Sequence, residues 1–153
     1  MTGRVLTPQQ VLDRIPHREP FRFIDQILEI DEDHVVSAVC FSPELEFYRG
    51  HFPGKPITPG VILVEAMAQA GVVALGIYLL ALDGSEDENG KMLTLFTDAQ
   101  VDFSGVVNPA DRVTVHASKV FFRRHKLRSH VEMRLEDGSV VCSGVLSGMG
   151  VPR

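Results

Sequence analysis

The hydrophobic pattern changes period part-way along the chain. From Val61 to Leu82 apolar residues run almost unbroken for the length of a helix, with Glu65 and Gln69 as the polar interruptions. Past the acidic stretch Asp83–Gly90, which reads as a solvated loop, the period drops to two. Leu93, Leu95, Ala99, Val101 and Phe103 alternate with Thr94, Asp98, Gln100 and Asp102, which predicts a half-buried strand. Val113, Val115 and Ala117 repeat the pattern. Val131, Met133 and Leu135 then alternate with His130, Glu132, Arg134 and Glu136, Asp137-Gly138 marks a hairpin turn, and Ser139–Met149 returns as a strand.

Upstream of the long run the elements are shorter. Thr7-Pro8-Gln9-Gln10 forms a capping box with proline at the first helical position, and Val11, Leu12 and Ile15 share one face. A helix over 8–15 follows, stopped by Pro16. Strands are expected over Phe21–Ile30 and Val35–Phe41, joined by the turn Asp31-Glu32-Asp33, and Glu44–Tyr48 bridges into a Gly/Pro-rich loop. Helices set apart from a run of antiparallel strands predict an α+β fold. A helix apolar on every side must be covered on every side. A curved antiparallel sheet wrapped around a long central helix does this economically, with a second subunit covering what the first leaves open.

Composition narrows the class further. At 153 residues the chain is read as a single domain, 1–153, able to bury a core without disulfides or metal. The net charge of −5 argues against a nucleic-acid partner. Cys40 and Cys142 lie in apolar, strand-like runs with no metal-ligand spacing, which predicts reduced core thiols and a cytoplasmic protein. No apolar segment follows Met1-Thr2-Gly3-Arg4, so no signal peptide is expected. Val61–Leu82 has the length to cross a bilayer. Glu65 and Gln69 inside it, and the lack of flanking Lys/Arg clusters, favour the buried helix of a soluble domain.

The candidate chemistry is concentrated where loop meets helix. In Gly50-His51-Phe52-Pro53-Gly54-Lys55-Pro56-Ile57-Thr58-Pro59-Gly60 the prolines are expected to hold the backbone extended and stiff, with glycines allowing close approaches. His51 is then presented with little freedom. The helix start leaves backbone N–H groups unpaired, and the bare Gly60 N–H can receive a carbonyl oxygen gaining charge. Glu65 lies one turn in and Gln69 one turn further on the same stripe. Apolar neighbours favour a neutral Glu65 that donates a proton, and His51 can accept one. Base, acid and oxyanion donor together suit elimination of water beside a thioester. Singly, each residue has a plainer reading: a structural loop histidine, and a helix glutamate paired with Arg49 or Lys55. Gln69 is read as a supporting hydrogen-bond group.

Ile15-Pro16-His17-Arg18, Pro20-Phe21, Gly50-His51-Phe52-Pro53-Gly54, Pro56, Pro59-Gly60-Val61 and Glu65-Ala66-Met67-Ala68-Gln69 resemble the FabZ family, the (3R)-3-hydroxyacyl-[acyl-carrier-protein] dehydratases of hot-dog fold. The resemblance follows element order over about residues 12–148, with its specific motifs within 15–71. It implies dehydration to a trans-2-enoyl thioester in fatty acid biosynthesis, with His51 and Glu65 as the catalytic pair, contributed by different subunits of a homodimer, often three dimers together. It further implies that the Gly60 N–H holds the thioester carbonyl, and that Glu65, rather than Asp, marks a simple dehydratase. Two departures stand out: Pro109-Ala110-Asp111 replaces the usual Pro-Gly-Asp, and Asp102 stands where basic residues are usual. They leave open the tunnel shape and a specialised polyketide or aryl-polyene type pathway. A hot-dog thioesterase and a non-catalytic acyl-thioester sensor are the alternatives from other classes.

The implied partner is an acidic acyl carrier protein. Arg123, Arg124 and Lys126, within a basic run from Lys119 to Arg128, are candidates to dock it, as are Arg49 and Lys55 beside the loop. No phosphate-binding glycine loop, metal-ligand cluster or nucleophile elbow occurs, so no dissociable cofactor is expected. Phosphopantetheine arrives with the carrier.

Overall fold

The computed structural model describes residues 3–85 and 92–152. Helix α1, Pro8–Arg14, opens on the complete capping box, with Thr7 Oγ1 accepting from the Gln10 N–H and the Gln10 side chain accepting from the Thr7 N–H. Strands β1 (Gln26–Ile30) and β2 (His34–Cys40) form an antiparallel pair, and a 3-10 turn over Glu46–Arg49 leads into the Gly/Pro-rich loop. The long helix α2, Gly60–Leu82, follows. Strands β3 (Met92–Phe103), β4 (Arg112–Arg123), β5 (Lys126–Leu135) and β6 (Val140–Pro152) complete one six-stranded antiparallel sheet, in the order β1-β2-β4-β5-β6-β3.

Helix α2 is the centre of the core, with Leu63, Ala66, Met67, Ala70, Val72 and Leu75 almost fully buried. Its length would also cross a membrane, but here the sheet curls around it. The helix is not uniform. It is α over Gly60–Ala68, widens to π geometry over Gln69–Ala74 and returns to α over Leu75–Leu82. Such a widening leaves a backbone carbonyl without its regular partner, and Ser129 on β5 donates its hydroxyl to the Gly71 carbonyl at 2.6 Å. The same turn lies hard against the sheet: a Cβ on Gly71 would come within 2.7 Å of Val131 and 3.0 Å of Ala117.

Four expectations need correction. Phe21–Asp25 is not strand, because the backbone of Phe21 and Phe23 bonds to the Gln69 side chain instead of a neighbouring strand. Cys40 is exposed, since it ends β2 on the outer face opposite Arg112, whereas Cys142 is buried. Burial pushes the Cys142 thiol up to about 11. In β3 a bulge between Phe96 and Asp98 reverses the alternation. Phe96, Ala99, Val101 and Phe103 therefore face the helix side, while Leu95 turns outward beside Met149 and Lys126. As the last strand of the sheet, β3 also stays largely exposed rather than half-buried. The fourth concerns the loop and is taken up with the site. In the acidic segment, Asp83–Ser85 turns back on α2 through Ser85 N–H to Leu80 O. The remainder of that segment, 86–90, lies outside the described residues.

Candidate active site

The loop after the 3-10 turn doubles back instead of running extended. Phe52 and Lys55 exchange both backbone hydrogen bonds, at 3.1 and 2.9 Å, around Gly54, whose φ of +75° only glycine adopts freely. Above this turn, Ile57 donates its N–H to the His51 carbonyl at 2.9 Å. The Ile57 carbonyl takes a hydrogen bond from His51 Nδ1, also at 2.9 Å. A carbonyl can only accept, so Nδ1 carries the hydrogen and Nε2 is left as the basic nitrogen. The Phe52 ring stacks on the imidazole at 4.1 Å. Thr58 ties the loop down through its N–H to Val107 O and its hydroxyl to the Tyr48 hydroxyl at 2.6 Å.

Gly60 opens α2, and no described hydrogen bond uses its N–H. The half-exposed Phe103 ring lies across this position, 3.1 Å from where a Cβ would stand. One turn on, Gln69 donates Nε2–H to Glu65 Oε2 at 2.9 Å. The other amide hydrogen goes to Phe21 O at 2.9 Å, and Oε1 accepts from Phe23 N–H at 2.7 Å. Gln69 is fully buried and spends its amide on three partners. Glu65 is paired with neither Arg49 nor Lys55. Its other neighbour is His17, whose Nε2 lies 3.7 Å from Oε2.

Glu65 and Gln69 thus come together, with Gly60 at the start of the same helix. His51 stands on the loop, joined to Glu65 by no described hydrogen bond or ion pair within the chain. His17 was present in the sequence motif without a role. It sits between Pro16 and the Pro20 turn, and so has prolines close by in sequence, as His51 does. The basic candidates separate into two groups. Lys126 and Arg128 pair with Asp98 on β3, at 3.8 and 3.7 Å. Arg123 lies over the Phe121 ring beside the tight turn Arg124-His125, and neither Arg123 nor Arg124 is in an ion pair among the described residues. Arg49 makes a loose, exposed contact with Glu46 at 3.8 Å. Among the described residues, no three His, Cys, Asp or Glu side chains gather as a metal site.

The model of the FabA-like domain matches residues 15–145, a span that contains the loop, Gly60, Glu65 and Gln69. The chain belongs to the FabA-like domain family. Curated relatives of this FabA-like domain include the 3-hydroxyacyl-[acyl-carrier-protein] dehydratase FabZ of Streptococcus pyogenes serotype M5, 33% identical over 91% of this chain and 94% of the relative. The FabZ of serotype M3 is 34% identical over the same shares. Among solved structures, a chain of the dehydratase heterocomplex ApeI:P from Xenorhabdus doucetiae superposes with a TM-score of 0.76 at 17% identity, covering 97% of this chain and 93% of that one. A thioesterase from Haemophilus influenzae follows at 0.69 and 16% identity, covering 99% and 96%. Dehydratase and thioesterase share the hot-dog architecture seen here, so the fold alone does not choose between their chemistries.

Proposed function

We propose that this FabA-like domain removes water from a (3R)-3-hydroxyacyl group carried on acyl carrier protein, giving the trans-2-enoyl thioester of fatty acid biosynthesis. Near-full-length likeness to curated dehydratases supports the reaction class. The observation that carries the residue assignment is the hydrogen bond from His51 Nδ1 to Ile57 O, which commits one ring nitrogen and frees the other. His51 Nε2 takes the C2 proton. The Gly60 N–H receives the thioester oxygen as negative charge builds on it. Glu65, in its neutral form, gives its proton to the C3 oxygen as the C–O bond breaks.

His51 and Glu65 work as a pair across two copies of the chain. The exposed β3 edge supports this, because Leu95, Phe96 and Phe103 leave about half of their surface to solvent on a strand with one side unpaired. A second copy adding its own β3 would cover them and bring its loop towards Glu65. Arg49, Lys55, Arg123 and Arg124 are the docking cations for an acidic carrier in the cytoplasm, and Lys126, already engaged with Asp98, contributes less. Phosphopantetheine comes with the carrier, and the chemistry asks for no other group.

The test is turnover of 3-hydroxyacyl carrier substrates of several chain lengths. Enoyl product should appear with wild type and fall steeply in both His51→Ala and Glu65→Gln. An inactive wild type, or full activity in both variants, would end the proposal. Release of free carrier thiol would show a thioesterase instead.

A further inference from the structure

We propose that His17 is a positioning residue for the acid: its Nε2–H stabilises the Glu65 carboxylate that forms when the proton leaves. The inference rests on the dehydratase reading above and assigns a role to a residue outside the His51–Glu65 pair.

Two independent observations carry it. His17 Nε2 lies 3.7 Å from Glu65 Oε2, with the two side chains only 23% and 19% exposed. The other ring nitrogen, Nδ1, is buried without a hydrogen-bond partner among the described residues. Buried polar atoms are rarely left so, and an orphaned N–H is rarer than an orphaned acceptor. The neutral ring therefore keeps its hydrogen on Nε2, facing Glu65.

The setting holds that aim. Arg18 donates to the carbonyls of Ile15 and His17, and Phe21 N–H closes onto Arg18 O at 2.8 Å. Gln69 grips the same segment at Phe21 and Phe23 while also donating to Glu65. One buried amide thus ties the His17 loop to the acid. Two donors, Gln69 Nε2–H and His17 Nε2–H, converge on Oε2, which leaves Oε1 to hold and deliver the proton.

The atoms balance simply. The base takes H+ from C2, the C3–O bond breaks with its electron pair on oxygen, and that oxygen takes H+ from Glu65, leaving a carboxylate. At 3.7 Å the resting contact is longer than a hydrogen bond. It shortens as charge arrives on the carboxylate, so the interaction is stronger in the transition state than in the ground state and acts on kcat.

The test compares His17→Gln with His17→Asn in turnover of a 3-hydroxyacyl carrier substrate. The Gln amide nitrogen reaches the place of Nε2, whereas the Asn amide reaches only the place of Nδ1. Asn should lower kcat about 10- to 100-fold with KM within about twofold, and Gln should recover most of the loss. In a Glu65→Gln background, where no carboxylate forms, His17→Asn should cost nothing further. Wild-type kcat in the Asn variant, equal losses for Gln and Asn, a change confined to KM, or an undiminished loss in the Glu65→Gln background would each overturn the inference. A wild type that eliminates no water brings down the underlying reading as well, whereas active wild type with an unaffected His17→Asn overturns this inference alone. Thermal melts confirm that each variant is folded. If the Asn variant does not fold, the Gln variant carries the test, and near-wild-type kcat is the supporting result while a loss of tenfold or more overturns it.

Discussion

Ile57 and His51 bond each other twice, backbone to backbone and carbonyl to ring, both at 2.9 Å. The imidazole is therefore fixed by the loop that carries it and needs no second side chain to choose its tautomer. His51→Ala should lower kcat by about three orders of magnitude, within the range for a general base. The change removes one ring hydrogen bond, worth about 1 kcal/mol, so the melting temperature should fall by only about 2–4 °C. Steady-state kinetics and a thermal melt on one preparation check both.

Gln69 offers a sharper stability prediction. Replacing it with Leu leaves the buried Phe23 N–H and the partly buried Phe21 carbonyl without their partner. At about 1–3 kcal/mol for each unsatisfied group the cost is roughly 3 kcal/mol. A domain of this size should then melt about 6–12 °C lower. Glu65 loses its amide donor in the same change, so activity should fall even below the melting range.

The turn before β4 predicts a gain. Ala110 sits at φ +71°, where glycine fits and other side chains strain. The family pattern quoted from the sequence has glycine there, and the backbone explains why. Ala110 N–H still reaches Phe41 O at 2.7 Å, so Ala110→Gly keeps the turn. Relief of strain, less the greater freedom of an unfolded glycine, should stabilise by about 0.5–1 kcal/mol. Denaturant melts on the two proteins would read it directly.

The parts of the fold carried by one-dimensional patterns were plain in the sequence. The capping box at Thr7, the apolar run of α2, the alternation in β4 and β5 and the Asp137-Gly138 turn all appear as expected. What escaped depends on contacts distant in the chain. Nothing local says that Phe21 and Phe23 give up strand pairing to a glutamine 48 and 46 residues ahead of them. A one-residue bulge near Thr97 is equally silent, yet it decides which face Leu95 joins. At the site, the spacing of Glu65 and Gln69 was enough to place them together. The second neighbour of Glu65, His17, had to come from a separate loop.

Protonation on the outer face should vary by residue. His34 lies between Asp31 at 2.8 Å and Glu29 at 3.2 Å, and these hydrogen bonds, Asp31 first, hold its pKa above the ordinary value. Its contribution to stability is complete below the unfolded value of about 6.5 and is lost as pH rises through the raised folded value. His116 runs the other way, lowered first by burial and then by Arg134, so its neutral form is favoured and its contribution is lost as pH falls. NMR titration should place the His34 midpoint above that of His116. His34→Asn should flatten the alkaline side of the stability profile slightly, since the site is well exposed and screened.

The wide turn over Gln69–Ala74 fixes the phase between the two halves of the central helix. An α-helix advances about 100° per residue. Closing that turn to ordinary α winding with all its residues kept would swing everything from Leu75 onward by roughly that angle, because the wide turn is what absorbs the extra residue. Tyr78 and Leu79 would leave their seats while Glu65 kept its own. A chimaera that splices plain α-helix into this segment must therefore be one residue shorter to keep the phase, even where the swapped side chains are interchangeable.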